Sequence, residues 1–320
     1  MNGIDGLTHA RSYILVVAFA SQPDTDRAAA ISPGVRAMAN GAFWFSIMGL
    51  LVKLAGRRLG SMEIVLARSV LTLGMSWWSL RRAGVHPLGV NRRLLLVRGM
   101  LGSLSLLCYF YSIVHLPLGE ATLIQYTNPV FATLLAAVIL NEALRAPEVL
   151  CLVASLVGVL FVAHPAPVFA SDAVSPNGVS IGIALTGAAC SGSAYALVRK
   201  LRGDEHPLVI VGYLPLLSVP MSLPFAIADW TWPNAQEWVL LAGVGVTTQL
   251  AQVSMTRGLQ LERTARATTV GYLQVAFAVV WGAIFLGEIP DGWTLAGATT
   301  IIGSTLLLSW WNAGTIVEND

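Results

Sequence analysis

The chain has 320 residues, of which 55% are hydrophobic and only 11% charged, whereas a soluble domain spends about a quarter of its residues on charge. Its mean hydropathy of +0.69 makes the bilayer the expected solvent, and a net charge of +2 is too small for a nucleic-acid footprint. Cys108, Cys151 and Cys190 are scattered through apolar runs, without the spacing of a disulfide framework or a zinc site, so neither a metal nor a cofactor is expected.

A lipid-spanning helix needs about 20 mostly apolar residues. The apolar stretch Ser12–Ala20 is too short for that and runs into the polar segment Ser21–Arg27, so residues 1–35 read as a cytoplasmic tail. Ten spans then follow, near 36–55, 61–80, 94–115, 118–140, 146–164, 178–201, 206–228, 236–261, 264–287 and 292–312. Pro129 is expected to bend the fourth span, and Pro215, Pro220 and Pro224 to make the seventh irregular. Trp77, Trp78, Trp230, Trp232, Trp238, Trp310 and Trp311 fall at span ends, where amphipathic rings favour the headgroup layer. With the amino terminus inside, most Lys and Arg collect on the cytoplasmic side, and Lys53, Arg57 and Arg58 share one loop on the other, so both termini are expected to be cytoplasmic.

Sliding the sequence against itself by 146 residues aligns Ala121–Glu142 with Ala267–Glu288 without a gap, with eight identities in twenty-two positions, Tyr126/Tyr272 and Glu142/Glu288 among them. The same shift pairs Gly41–Ala42 with Gly187–Ala188 and Lys53 with Arg199. The unit is five spans long, and an odd number forces successive copies into the membrane in opposite orientation. The expected fold is an all-α integral membrane protein of ten transmembrane helices, built as two inverted five-helix repeats. The repeats cover 36–166 and 178–314, with a linker at 167–177 and a short tail at 315–320.

Several short motifs recur in order: Arg98-Gly99 opening the third span, Leu116–Thr122 leading into the fourth, Asn128-Pro129 within it, and the endings Leu140-Asn141-Glu142 and Leu286-Gly287-Glu288. Gly-rich helices holding Gly158 and Gly303 follow those endings. In these features the chain, over roughly 36–312, resembles the drug/metabolite transporter superfamily, specifically proteins with two EamA-type domains. The resemblance implies a central cavity between spans 1, 3, 4, 6, 8 and 9, with spans 5 and 10 peripheral. Val275 stands where the first half has Pro129, so a helix break at that position need not be shared by both halves.

Polar side chains deep in a bundle mark either a pathway or an interhelical bond. Gln125 and Asn128 share one helix face, and Gln249 and Gln252 another, with Thr256 extending it. Tyr126, Tyr272 and Gln274 lie at matching depths in the two halves, and Trp44 and Tyr195 on the first and sixth spans complete a candidate ring for cargo. Arg68 and Arg98 fall inside spans without a carboxylate at comparable depth, which suits an anionic group on the cargo. Pro129, Glu142 and Glu288 are read as structural or hinge positions.

His9, His86, His115, His164 and His206 lie in the tail or near span ends, and no nucleophile-elbow or Walker-type loop occurs. An enzyme is therefore not expected. The function expected is secondary transport of a small polar or amphiphilic metabolite in an inner or plasma membrane, with the bilayer and the cargo as partners and a homodimer left open. The alternative is a lipid-handling or structural membrane protein of the same fold.

Overall fold

A computed structural model describes residues 31–116, 118–163, 178–228, 230–287 and 290–317. The expected tail up to residue 30, the linker at 167–177 and Glu288 lie outside them. The described residues are helices and short connections, and contain no strand. In the first half these helices are α1 Pro33–Ala55, α2 Ser61–Arg82, α3 Arg92–His115, α4 Leu118–Gln125, α5 Asn128–Leu140 and α6 Ala146–Ala163. The second half holds α7 Gly178–Lys200, α8 Pro207–Ala228, α9 Ala235–Leu261, α10 Thr264–Gly271, α11 Leu273–Leu286 and α12 Gly292–Val317.

These twelve helices make ten crossings, because α4 with α5 and α10 with α11 are each one span broken near its middle. Seven crossings are long and apolar enough to span on their own, while Ala146–Val162 and Gly292–Leu308 are apolar but shorter. The tenth, α2, carries Arg68 inside it and Arg81 and Arg82 at its end. Their guanidinium groups lie 4.8 Å above the ring of Trp77 and 4.1 Å above that of Trp78, so two of the expected anchors sit at a helix end beside cations.

The inverted repeat is visible in the packing. Gly41 of α1 lets the helix approach α9 so closely that a Cβ would lie 3.3 Å from the Ala251 carbonyl oxygen and 3.1 Å from the Met255 nitrogen. At Gly187 of α7 the same atoms, each 146 residues earlier, are met on α3: the Ser105 oxygen at 3.5 Å and the Tyr109 nitrogen at 3.7 Å. Each half thus packs its first helix on the third or eighth span of the other half, through the small residues that close contact in lipid requires. Polar bonds follow the same rule: Gln249 of α9 bonds Ser76 of α2 at 3.0 Å, and Ser103 of α3 bonds Ser218 of α8 at 2.9 Å. Helix ends match as well. Asn141 after α5 and Gly287 after α11 are both left-handed, at φ 52° and 66°, and their amides bond to Ala136 and Gly282. The peripheral α6 and α12 pack on each other, with Ser155 bonding Ser304 at 2.6 Å.

Two expectations need correction. The break of the fourth span recurs in the ninth despite Val275, so proline is not its common cause. In the ninth span Gly271 stands at the break, and the amides of Tyr272 and Val275 bond only three residues back, to Thr269 at 3.2 Å and Tyr272 at 2.9 Å, as those of Thr127 and Val130 do in the fourth, at 3.0 Å each. By contrast α8 runs without interruption from Pro207 to Ala228 although Pro215, Pro220 and Pro224 lie inside it, and it packs on α2, α3 and α9.

Candidate functional site

Where a helix breaks inside lipid, its freed backbone groups must find partners in the protein. In the fourth span Pro129 has no amide hydrogen to give to the turn before it, and the amide of Val130 bonds back to Thr127 at 3.0 Å. The Tyr126 carbonyl accepts instead from the hydroxyl of Tyr272 at 2.6 Å, with the two rings 6.0 Å apart. Tyr126 and Tyr272 are repeat equivalents, so the two broken spans meet through the same residue of each half. Asn128, at the start of α5, donates to the Ser191 hydroxyl on α7 at 3.1 Å.

A cavity of about 240 Å³ lies at this junction. Arg68, Arg98, Gln125, Tyr126, Asn128 and Pro129 line it from the first half. Tyr195, Gln252, Tyr272 and Gln274 do so from the second. Its walls come from α1, α3, the two broken spans, α7 and α9, together with Arg68 of α2 and Leu214 of α8, so spans 2 and 7 add to the six that the family pattern implies.

Two expected contacts fall outside it. Gln249 is 4% exposed and is held on α2 by Ser76. Trp44 is not among the α1 residues that line it and instead packs edge-on with Phe43 at 5.5 Å. Met38, Met48, Met255, Phe45 and Tyr109 are lining residues that sequence reading missed. Apolar residues in an apolar span carry no signal of their own; only the repeat shift, which pairs Tyr109 with Met255, would have singled them out.

The charges in the cavity are of one sign. Arg98 is 2% exposed, its Nε and Nη1 have no hydrogen-bond partner, and neither does Nε of Arg68. No carboxylate lines the cavity among the described residues.

Ion pairs gather instead at the helix ends. On the face where α2, α5, α7 and α9 end, Arg199 of α7 donates to Glu142 at 2.8 Å and to the Gln260 carbonyl of α9 at 2.8 Å. Glu142 also accepts from the Thr264 amide at the start of α10 at 3.1 Å. Nearby, Arg263 pairs with Glu148 at 3.2 Å and Glu262 with Arg266 at 3.0 Å, and Glu262 also accepts from Ser32. On the opposite face Arg58, in the loop after α1, donates to Glu237 at 2.7 and 2.5 Å and to the Trp232 carbonyl at 2.7 Å. That hydrogen bond to Glu237 raises the Arg58 guanidinium above its ordinary pKa.

The sequence model of the EamA-like transporter family matches residues 32–163 and 179–310, once in each half. The chain belongs to the EamA-like transporter family. A pseudopaline exporter of Pseudomonas aeruginosa is 31% identical over 280 residues, covering 87% of this chain and 96% of that one. The human solute carrier family 35 member G1 is 26% identical over 277 residues, 83% of this chain and 75% of that one. A riboflavin transporter of Vibrio cholerae is 26% identical over 218 residues, 68% and 71% of the two chains. A solved crystal structure superimposes with a TM-score of 0.77 at 16% identity, covering 90% of this chain and 99% of the other, and shows that the fold is shared. As an EamA-like protein the chain is an integral, multi-pass membrane protein whose named relatives are transporters of small metabolites.

Proposed function

We propose that this EamA-like protein is a secondary transporter that moves a small polar or amphiphilic metabolite by alternating access between its two inverted repeats, in an inner or plasma membrane with both termini cytoplasmic. The observation that carries the reading is the cavity at the junction of the two broken spans, lined from both repeats by apolar residues and several polar ones. Two halves of one architecture can exchange conformations at similar energy, giving an inward and an outward state around one fixed site. The tie of Glu142 to Arg199 and Thr264 then acts as a lock, because it joins the ends of α5 and α7 to the start of α10, all of which carry cavity residues. The transporter names of the relatives support the same class of cargo.

The test is exchange in proteoliposomes of labelled amino acids, nucleosides, organic anions, cationic metabolites and sugars. Saturable flux of one class, lost in Gln125→Ala with the fold retained, is the expected result. Transbilayer movement of lipid with no solute flux would overturn the reading in favour of a lipid-handling protein.

A further inference from the structure

Three polar side chains that line the cavity carry buried atoms without a hydrogen-bond partner: Nε of Arg68, Nε and Nη1 of Arg98, and the acceptor Oε1 of Gln252. A buried guanidinium without a partner is costly to keep and signals an anion that arrives from outside. A buried amide oxygen without a partner calls for an N–H or O–H in the same way.

The depth of each group follows from the helix rise of about 1.5 Å per residue. Arg98 stands six residues from the start of α3, and Gln252 nine residues from the end of α9, both counted from the face that carries the Glu142–Arg199 pair. Arg68 stands fourteen residues from the end of α2 at that same face. The Cα atoms of Arg98, Gln252 and Arg68 therefore stand about 9, 14 and 21 Å along their helices from that face, in that order. The lining mixes soft apolar residues, Phe45, Met48 and Met255, with polar ones such as Asn128 and Gln274.

We propose that the cargo is a dicarboxylate with a hydrogen-bond donor between its two carboxylates: one carboxylate binds Arg98, the other Arg68, and the donor meets Gln252. This deepens the transporter reading and rests on it. Carboxylates fit better than phosphates, since each end offers a single guanidinium and so one positive charge for one negative.

The proposal is tested by calorimetric binding to the full chain in nanodiscs, using the straight α,ω-dicarboxylates from glutarate to suberate, their 3-hydroxy derivatives and their monomethyl esters. At the best-fitting length the diacid is expected to bind at least tenfold tighter than its monoester, and the hydroxyl to tighten binding further. Arg98→Gln and Arg68→Gln each bring the diacid down to the monoester's affinity, Gln252→Leu removes only the advantage of the hydroxyl, and Arg98→Lys, which keeps the charge, recovers part of the binding and guards against misfolding. Diacids that bind no better than monoesters at every length, or a preference for diacids untouched by both arginine substitutions, would overturn it. The two readings fail separately: flux of a neutral metabolite without diacid binding sinks this proposal alone, whereas diacid binding without flux of any solute sinks the transporter reading.

Discussion

Replacing Glu142 by Gln tests whether one end of the bundle is held shut by a single carboxylate. That carboxylate accepts from Arg199 Nε at 2.8 Å and from the Thr264 amide at 3.1 Å, with the two side chains only 9% and 17% exposed. An exposed ion pair contributes about 0–1 kcal/mol, but hydrogen bonds to a charged, partly buried group contribute about 1.5–3 kcal/mol. Gln keeps the shape and one acceptor oxygen, yet loses the charge and turns an NH₂ group toward one of the donors. A loss of about 1.5 kcal/mol is expected, close to a tenfold change in an equilibrium constant. The joined helix ends belong to both repeats, so the population open on that face should rise by about that factor. With the three native cysteines replaced and a cysteine placed at Ala194, which lines the cavity, reaction with a membrane-impermeant thiol reagent added from that face reports the change. The rate should rise about tenfold in Glu142→Gln and should not rise in Arg58→Gln, which loosens the opposite face. A rate within twofold of the parent, in protein that remains folded, would refute the lock.

Arg98→Gln should stabilise the empty protein even as it removes function, because a guanidinium without a partner costs about 2.5–3.5 kcal/mol at the centre of a span on an insertion scale, and less at the depth of Arg98; a rise in Tm in detergent, or its absence, decides this. Tyr272→Phe strips the Tyr126 carbonyl of its donor and should cost about 0.6–1.7 kcal/mol, from the average to the largest measured interhelical bond in a membrane protein, whereas Tyr126→Phe leaves that carbonyl and its donor intact and should cost less in the same unfolding assay. At Gly192 an added Cβ would stand 2.6 Å from the Asn128 oxygen and 2.7 Å from the Ala132 nitrogen, both backbone, so Gly192→Ala should destabilise by about 1–3 kcal/mol, while Gly303→Ala, with nothing within 4 Å of its Cβ, should be neutral in thermal unfolding.

The spans were legible because a bilayer imposes a length and an apolar composition on every crossing; α3, expected at 94–115, runs over Arg92–His115. The inverted repeat was legible too, since the shift of 146 read from Ala121–Glu142 is the shift at which Gly41 and Gly187 make matching contacts. What stayed hidden is side-chain direction. Gln249 and Gln252 share a helix face in the sequence, yet Gln249 is taken by Ser76 and only Gln252 reaches the cavity. The second helix break escaped for a different reason: a proline is a strong local signal, whereas Gly271 is one of 30 glycines and marks no break by itself.

The cavity also separates what the two halves share from what distinguishes them. Tyr126 and Tyr272, and Asn128 and Gln274, are equivalent positions that remain polar in both repeats and line the site from both sides. They sit at the helix breaks, where each half needs the same repair of its backbone. Arg68, in contrast, has Leu214 as its counterpart, Gln252 has Leu106 and Arg98 has Val244. Leu214 and Leu106 line the cavity as well, so the two halves present similar shapes but different chemistry. A two-fold scaffold suits the exchange of inward and outward states, since neither is then favoured by architecture. Recognition has the opposite requirement, because a cargo without two-fold symmetry is bound best by walls that differ. The polar groups without partners, Arg68, Arg98 and Gln252, are all at positions where the repeat has been broken, which is where a cargo-specific site is expected to have been built onto a symmetric carrier.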